Sequence, residues 1–479
     1  MGSQRNPAFV ARAAVIASIG GLLFGYDIGV VEGALPQLRD EMHLTLGQED
    51  MVVAVMVAGA ITGSVFAGFL ADRLGRWFTI VLTDLTFIAG GAVLFSARNP
   101  GIVFVGRFTV GMAVAVSAVA DVSYLAEVAP RGLRGAMVST NELAISIGML
   151  GAFLTGHLLR DMHGGWRFMF GLASLLAVLQ LVGMAFMPLS PRWLMSRGRR
   201  DEAHAVLLKI RDSQDEVDME LREIDRSDSD TNGSLKELLT KWRMPLLITT
   251  SLAVFQQLTG HSNLLNFTSD IFRLSGFKGA APAVVLGVVK VIATTIAIVW
   301  LDRVGRKPFL LWGSAGVTCS LAVLSVSFVA GLPGLAFAAS AGLVAAYALS
   351  FGPVTWLITA EMFPAGIRGK ALGIGQVGSF VGNLAASSFF LRLLHAAGGG
   401  ITFFLFATIV FLATVFILLV VPETKDKEPH SIAADLPGCE CCPTYTELTD
   451  EGLTDERVEV DDTAGEGTPL PDAGAEKWI

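Results

Sequence analysis

The ionisable residues Asp27, Arg107, Glu142 and Lys290 lie within otherwise apolar runs of this sequence. Even on a lenient insertion scale such a charge costs about 2.5–3.5 kcal/mol at the middle of a membrane span, so each is a functional candidate by default. Amides occupy similar positions: Gln256, Gln257, Asn263 and Asn383. An amide both donates and accepts hydrogen bonds, which suits a ligand rich in hydroxyl groups. Trp356 offers an apolar face to a ring. A third set of charges lies between the runs: Asp72, Arg73, Arg76, Glu127, Arg131 and Arg134, then Asp302, Arg303, Arg306, Glu361 and Arg368. Their chemistry is ion pairing, made and broken.

The elements that must hold these groups are membrane helices. Hydrophobic residues form 52% of the chain and charged residues 16%, against roughly 25% charge in a soluble domain. A bilayer core of about 30 Å takes about 20 apolar residues per helix. Runs of that length cover 9–31, 51–71, 77–96, 101–122, 136–159, 166–187, 244–271, 281–301, 308–329, 334–358, 369–394 and 400–421. The 52 glycines fit close helix packing in lipid. The fold class is therefore all-α integral membrane, with twelve transmembrane helices. With the N-terminus placed in the cytoplasm, the inner segments hold 26 Lys+Arg and the outer ones seven, and the 188–243 segment alone holds eleven. The positive-inside rule then puts both termini in the cytoplasm; "inner" and "outer" below follow that expectation. No cleavable signal peptide is evident.

Internal symmetry divides the chain. Asp72-Arg-Leu-Gly-Arg76 recurs as Asp302-Arg-Val-Gly-Arg306, and Glu127-Val-Ala-Pro-Arg-Gly-Leu-Arg-Gly135 as Glu361-Met-Phe-Pro-Ala-Gly-Ile-Arg-Gly369. Pro188 and Pro422 close the sixth and twelfth runs at the same offset of 234 as the second pair of strings. The expected domains are a six-helix half over 1–187, a cytoplasmic loop with short helices over 188–243, a second six-helix half over 244–421, and a tail over 422–479 whose distal part is expected to be disordered. Within the loop, Ala203, Val206, Leu207, Ile210, Val217, Leu221 and Ile224 recur near the helical period. Asn232-Gly-Ser would face the cytoplasm, and Asn266-Phe-Thr lies close to the membrane. The tail cysteines Cys439, Cys441 and Cys442 lack the partners of a zinc site; lipidation is the alternative they leave open. No metal site, cofactor, nucleotide site, enzymatic chemistry or nucleic-acid partner is expected.

The strings Gly68-Phe-Leu-Ala-Asp-Arg-Leu-Gly-Arg76, Gly106-Arg-Phe-Thr-Val-Gly111, Tyr124-Leu-Ala-Glu-Val-Ala-Pro130, Gln256-Gln-Leu-Thr-Gly260, Gly352-Pro-Val-Thr-Trp356 and Pro422-Glu-Thr-Lys425 carry a resemblance. Over residues 9 to about 425 the chain resembles the sugar porters of the major facilitator superfamily. Thr259-Gly-His-Ser-Asn263, Lys290 and Glu142 look most like the class III facilitative glucose transporters, the group of members ten and twelve. Departures are Pro188-Leu-Ser-Pro-Arg192, where the family has an acid, Ser262-Asn263, where many relatives have the amide one position earlier, and Phe380, where many carry tryptophan.

The resemblance implies the major facilitator fold and alternating access about a mid-membrane sugar site. At about 1.5 Å per residue, Gln256 and Gln257 lie about 18 Å from the inner surface and Asn383 about 21 Å, while Lys290 lies about 14 Å from the outer surface. Gln256, Gln257, Asn263, Asn383, Trp356, Glu142 and Lys290 are the expected substrate residues. Glu142 and Lys290 either neutralise one another or leave the lysine to the substrate. Asp27 and Arg107 lie about 7 and 9 Å from the outer surface, close enough in depth for an ion pair. In proton-coupled relatives the matching aspartate accepts the proton, so the pair is either the proton-coupling site or a static contact. The loop charges are expected to gate the inner side. The expected solute is a glucose-like hexose, moved by uniport or proton symport in a plasma membrane or endomembrane. A polyol, dehydroascorbate or an organic anion is the alternative, and a non-transporting sugar sensor a further one.

Overall fold

The computed structural model describes residues 7–129, 134–211, 213–229, 235–276, 282–425, 427, 429–434 and 436. Arg131, Asn232, the tail cysteines and the distal tail lie outside the described residues, as do the side chains of Arg134 and Asp302. Everything described is helix or short connection. The first half contains α1 (Pro7–Met42), α2 (Leu46–Leu74), α3 (Arg76–Phe95), α4 (Pro100–Val128), α5 (Arg134–Leu158) and α6 (Gly165–Met184). Four short helices follow: α7 (Pro191–Ser196), α8 (Arg200–Ile210), α9 (Gln214–Ser229) and α10 (Leu235–Thr240). The second half contains α11 (Arg243–Leu258), α12 (His261–Asn266), α13 (Thr268–Ser275), α14 (Pro282–Val304), α15 (Arg306–Ala330), α16 (Pro333–Leu349), α17 (Phe351–Glu361) and α18 (Ala365–Val420), before α19 (Pro429–Ala434).

Among the described residues nine helical stretches are long and apolar enough to cross a bilayer. One of them, Ile367–Val420, has 54 residues and would be about 81 Å long if straight, far more than a core of about 30 Å. It is two spans: Gly398, at φ 79° and ψ 162°, leaves helical geometry and turns the chain back, a conformation that only glycine adopts without strain. Helix α5 and the interrupted α11–α13 segment supply the remaining two, giving twelve. The molecule is a multi-pass all-α membrane protein of two six-helix halves. Large apolar side chains such as Phe66, Phe69, Phe186, Trp312, Val329 and Leu419 stay exposed along its flanks, as a surface facing hydrocarbon requires.

Three boundaries differ from the apolar runs. The outer connection expected over 32–50 is mostly helix, because α1 continues to Met42. Val31, Ala34, Leu35 and Leu38 recur at helical spacing there and are buried. The next helix starts on a capping box: the Thr45 hydroxyl accepts from the Gln48 backbone N–H, and Gln48 Oε1 accepts from the Thr45 backbone N–H. The seventh run is broken at Gly260, whose φ of 74° closes α11 and restarts the chain as α12. The tenth is broken at Ser350.

The loop helices are pinned from below. Ala203, Leu207, Ile210, Val217, Leu221 and Ile224 are buried, whereas Val206 is only half-buried. Between α8 and α9 the buried Arg211 pairs with Glu220 through both oxygens, at 2.6 and 2.9 Å, and donates to the Val128 and Ala129 carbonyls at 3.0 and 3.2 Å. A cation thus satisfies the free carbonyls at the C-terminal end of α4, where the helix dipole favours positive charge.

Candidate functional site

The interruption at Gly260 turns the amides of α11 and α12 toward α18. Gln257 Nε2 donates to Ser379 Oγ at 2.9 Å, and its Oε1 accepts from Asn383 Nδ2 at 2.9 Å and from Ser262 Oγ at 3.4 Å. Ser387 Oγ donates to Asn263 Oδ1 at 2.8 Å and lies 3.2 Å from Asn383 Oδ1. Gln257, Asn263 and Asn383 therefore form one network across three helices of the second half, α11, α12 and α18. Gln256 points elsewhere, donating to the Phe351 and Gly352 carbonyls at the start of α17 at 2.7 and 3.4 Å, with Oε1 unpartnered. Trp356 is half-buried on α17 beside Gly375 and outside this network.

A cavity between the halves adjoins the network. Phe24, Met56 and Arg107 line it from the first half, and Ser262, Phe380 and Asn383 from the second. It leaves about 40 Å³ for the centres of water-sized spheres, room for about three waters and too little for a sugar ring. Asn266 also lines it and is buried, so its sequon offers no surface to a glycan.

Asp27 and Arg107 are each 1% exposed. The guanidinium donates to the Val52 carbonyl at 3.3 Å and the Asp27 carbonyl at 3.5 Å, meets Met56 Sδ at 2.8 Å, and lies 5.5 Å from the centre of the Phe170 ring. Asp27 Oδ2 has no hydrogen-bond partner. The two residues meet through backbone, and the ion pair allowed by their depths is not a contact pair in this conformation. Lys290 and Glu142 are likewise not joined; Lys290 Nζ rests 3.5 Å from Met149 Sδ. At that level the halves meet through Ser146 Oγ and Thr294 Oγ1, 3.0 Å apart.

At the inner ends the repeated strings build the same triad twice. Arg76 pairs with Asp72 at 3.2 Å and with Glu127 at 2.9 Å, and Glu127 accepts from Ser190. Arg306 pairs with Glu361 at 2.8 Å, and Glu361 accepts from Thr424 at 2.5 Å. The Arg73 guanidinium lies over Phe69, the Arg303 carbonyl accepts from Lys425, and Arg368 donates to the Phe363 carbonyl. These bonds lie within one half each. The halves differ in what backs each triad: Glu423 accepts from the backbone amides of Arg306 and Lys307, both at 3.0 Å, at the start of α15. Leu189 stands at the equivalent place, and Trp193 packs on Gly75 ahead of α3. Burial pushes the Glu423 carboxyl up, but backbone donors at Lys425, Arg306, Lys307 and Thr424 together hold it below its ordinary value.

Sequence reasoning missed the contacts that join the halves on the outer side. Arg39 of α1 grips Asp270 of α13 through two nitrogens at 3.0 and 3.3 Å, while also holding Glu49 at 2.5 Å. Arg392 of α18 pairs with Asp50 of α2 at 3.2 Å, and Ser269 donates to Glu32 at 2.6 Å. Of these residues only Arg39 and Arg392 enter the charge bias of the sequence, and Glu32 and Arg39 fall between the first two apolar runs. Also missed was His261, buried and stacked on Tyr347 with ring centres 3.7 Å apart and both ring nitrogens unpartnered. An imidazole within an apolar run was the available signal. Among the described residues no cluster of side chains could hold a metal ion.

The protein-family model described as "Sugar (and other) transporter" matches residues 13–436. The chain is 34% identical over 430 residues to the glucose transporter GlcP of Staphylococcus epidermidis, covering 88% of this chain and 96% of that one. It is 30% identical to solute carrier family 2, facilitated glucose transporter member 12, of Xenopus laevis, over 90% and 91% of the two chains. Among solved structures it is similar to the proton:xylose symporter XylE of E. coli bound to 6-bromo-6-deoxy-D-glucose, with a TM-score of 0.79 and 27% identity over 90% of this chain and 99% of that one. With matches that span nearly the whole molecule, over a fold of two six-helix halves, the chain belongs to the sugar-porter family of the major facilitator superfamily: it is a membrane transporter.

Proposed function

We propose that the chain carries a glucose-like hexose across the membrane by alternating access, with Gln257, Asn263 and Asn383 as the principal hydroxyl-binding groups. The observation that carries this reading is the amide–hydroxyl network between α11–α12 and α18, beside a cavity lined by both halves. Amides already bonded to one another can exchange those bonds for sugar hydroxyls without stranding a buried polar group. Gln256, held by backbone carbonyls, keeps an acceptor free, and Trp356 supplies an apolar face to the ring. The outer contacts Arg39–Asp270, Asp50–Arg392 and Glu32–Ser269 hold the outer side together in this conformation. Their separation, with tightening of the inner charge clusters, is the other half of the cycle.

Asp27 is the proposed proton acceptor, its free oxygen lying near a buried guanidinium that can move from its backbone acceptors to the carboxylate. The printed description of the XylE relative as a proton:xylose symporter supports symport over uniport. Lys290, Glu142 and the Thr259–Asn263 string support the narrower likeness to the class III transporters, and both termini are placed in the cytoplasm on the charge bias. The test is uptake of a panel of labelled hexoses, pentoses, inositol and organic acids into proteoliposomes, with and without an imposed pH gradient. No uptake of any neutral sugar would overturn the proposal; sugar binding without uptake would make the chain a sensor.

One observation favours a second reading. Lys290 has no carboxylate in contact, so an anionic solute could meet an available ammonium. Lys290→Gln should then abolish anion uptake and spare hexose uptake.

A further inference from the structure

Two buried carboxyl groups of the first half have no part in the mechanism above. Asp84 of α3 and Asp121 of α4 are each 1% exposed. Asp84 lies eight residues from the inner end of its helix and Asp121 seven, about 12 and 10 Å along the helix axes. Fourteen residues of α4 separate Asp121 from Arg107, about 21 Å, so the cation beside Asp27 does not serve them.

Asp121 has donors. Gln180 Nε2 of α6 donates to Oδ1 at 3.1 Å, and the Ser117 hydroxyl donates to Oδ2. Its other neighbour is the bare backbone of α1, where a Cβ on Gly20 would come within 1.9 Å of Oδ2. Asp84 has none: neither of its oxygens has a partner, and Gln180 Oε1 is also unpartnered. The adjacent Thr83 hydroxyl is turned back to the Ile80 carbonyl at 2.7 Å. Asp84 and Asp121 repel one another across α3 and α4, so this cluster holds an excess of acceptors, and its two side-chain donors are both committed to Asp121.

Among the described residues, the helices packed around these groups bring no cation to them. Arg12, the nearest basic residue of α1, is exposed eight residues before Gly20, about 12 Å away along the axis. Arg76 of α3 is held by Asp72 and Glu127 at the inner end, and Arg167 of α6 by Glu41 at the outer end. On α4 the other charged side chains are Arg107 and Glu127, already bonded elsewhere, and on α5 Glu142 faces Lys290. Neither Asp84 nor Asp121 makes an ion pair with any described residue. Two carboxylates in a donor-poor site inside the bilayer are the costly state; a carboxylic acid supplies both the missing donor and neutrality.

We infer that Asp84, Asp121 and Gln180 form a second proton-binding site, distinct from Asp27 and Arg107, in which Asp84 carries a proton in this conformation and Asp121 is its neighbouring acceptor. The chain then has two protonation points stacked along the first half, one toward each membrane surface. The ligand is a proton; a small alkali cation is the competing occupant.

Infrared spectroscopy of the reconstituted full chain reads this directly and needs no transport. In an Asp27→Asn background at neutral pH, a carbonyl stretch of protonated carboxylic acid should persist and shift on deuteration. Asp84→Asn should remove one carboxyl's worth of that intensity while leaving sugar binding, since the asparagine amide replaces the acid's donor. Asp121→Asn should shift the same band through its changed neighbour, and this arm decides the matter if Asp84→Asn does not fold. A band unaffected by either substitution would overturn the assignment. So would a band present in choline chloride and lost in sodium chloride, which would give the site to a cation.

Discussion

Asp270→Asn isolates the outer contact between the halves. Arg39 lies on the first half with Glu49, and that pair survives any rocking; only the bidentate bond to Asp270 crosses to the second half. The substitution removes the crossing charge and leaves the side chain's shape. Exposed ion pairs contribute about 0.2–1 kcal/mol, whereas stranding a charge in a buried pair costs about 3–5 kcal/mol. Side-chain exposures of 22% for Arg39 and 8% for Asp270 put this pair between, at about 1.5–2 kcal/mol. Because the bond exists only while the outer side is shut, that amount moves the equilibrium about ten- to thirty-fold toward outer opening. The assay places a single cysteine at the cavity by Ser262→Cys in a chain otherwise free of cysteine, and measures the rate of labelling by an impermeant maleimide from the outer side of sealed vesicles. The rate should rise about tenfold. An unchanged or slower rate would show that Asp270 does not hold the outer side shut.

Glu361→Gln, which weakens the bonds to Arg306 and Thr424, should favour inner opening; inaccessible cysteines at the inner mouth would contradict this. Gln257→Ala strands Ser379 and Asn383, so sugar affinity measured by calorimetry should fall about ten- to a hundredfold, from a loss of about 1–3 kcal/mol. Asp27→Asn should abolish sugar-driven proton uptake in proteoliposomes while permitting sugar exchange; proton uptake equal to wild type would remove Asp27 from the coupling step. Glu423 is held below the ordinary glutamate value, so its stabilisation is complete above that value and is lost as pH falls through the lower folded value. Thermal unfolding in detergent should show this acid-side loss in the wild type and a smaller one in Glu423→Gln.

Legibility in the sequence followed the strength of each physical signal. The five runs from the second to the sixth ended within a few residues of α2–α6 at most ends because hydrocarbon thickness alone sets their length. The extension of α1 through Arg39 was not legible, because its polar residues break the hydropathy while Val31, Leu35 and Leu38 still pack. The break at Gly260 falls in the polar string 256–263 and that at Ser350 three residues before Pro353, signals that hydropathy averaged over a whole span does not register. Gln257 and Asn383 stood out as amides in hydrocarbon, but Ser379 and Ser387 did not, since hydroxyls in membrane helices commonly satisfy themselves on a carbonyl one turn back. The pairing of Arg39 with Asp270 joins residues 231 apart, and no local pattern announces it.

The unequal treatment of the two inner triads has a consequence for ionic strength. In the second half the turn ahead of α15 is tied by a carboxylate to backbone amides; in the first, an indole ring fills the corresponding corner ahead of α3. Electrolyte weakens a partly exposed electrostatic tie and leaves apolar contact intact. Raising salt should therefore loosen one hinge of the rocking motion and spare its twin, so that a nearly symmetric molecule bends asymmetrically.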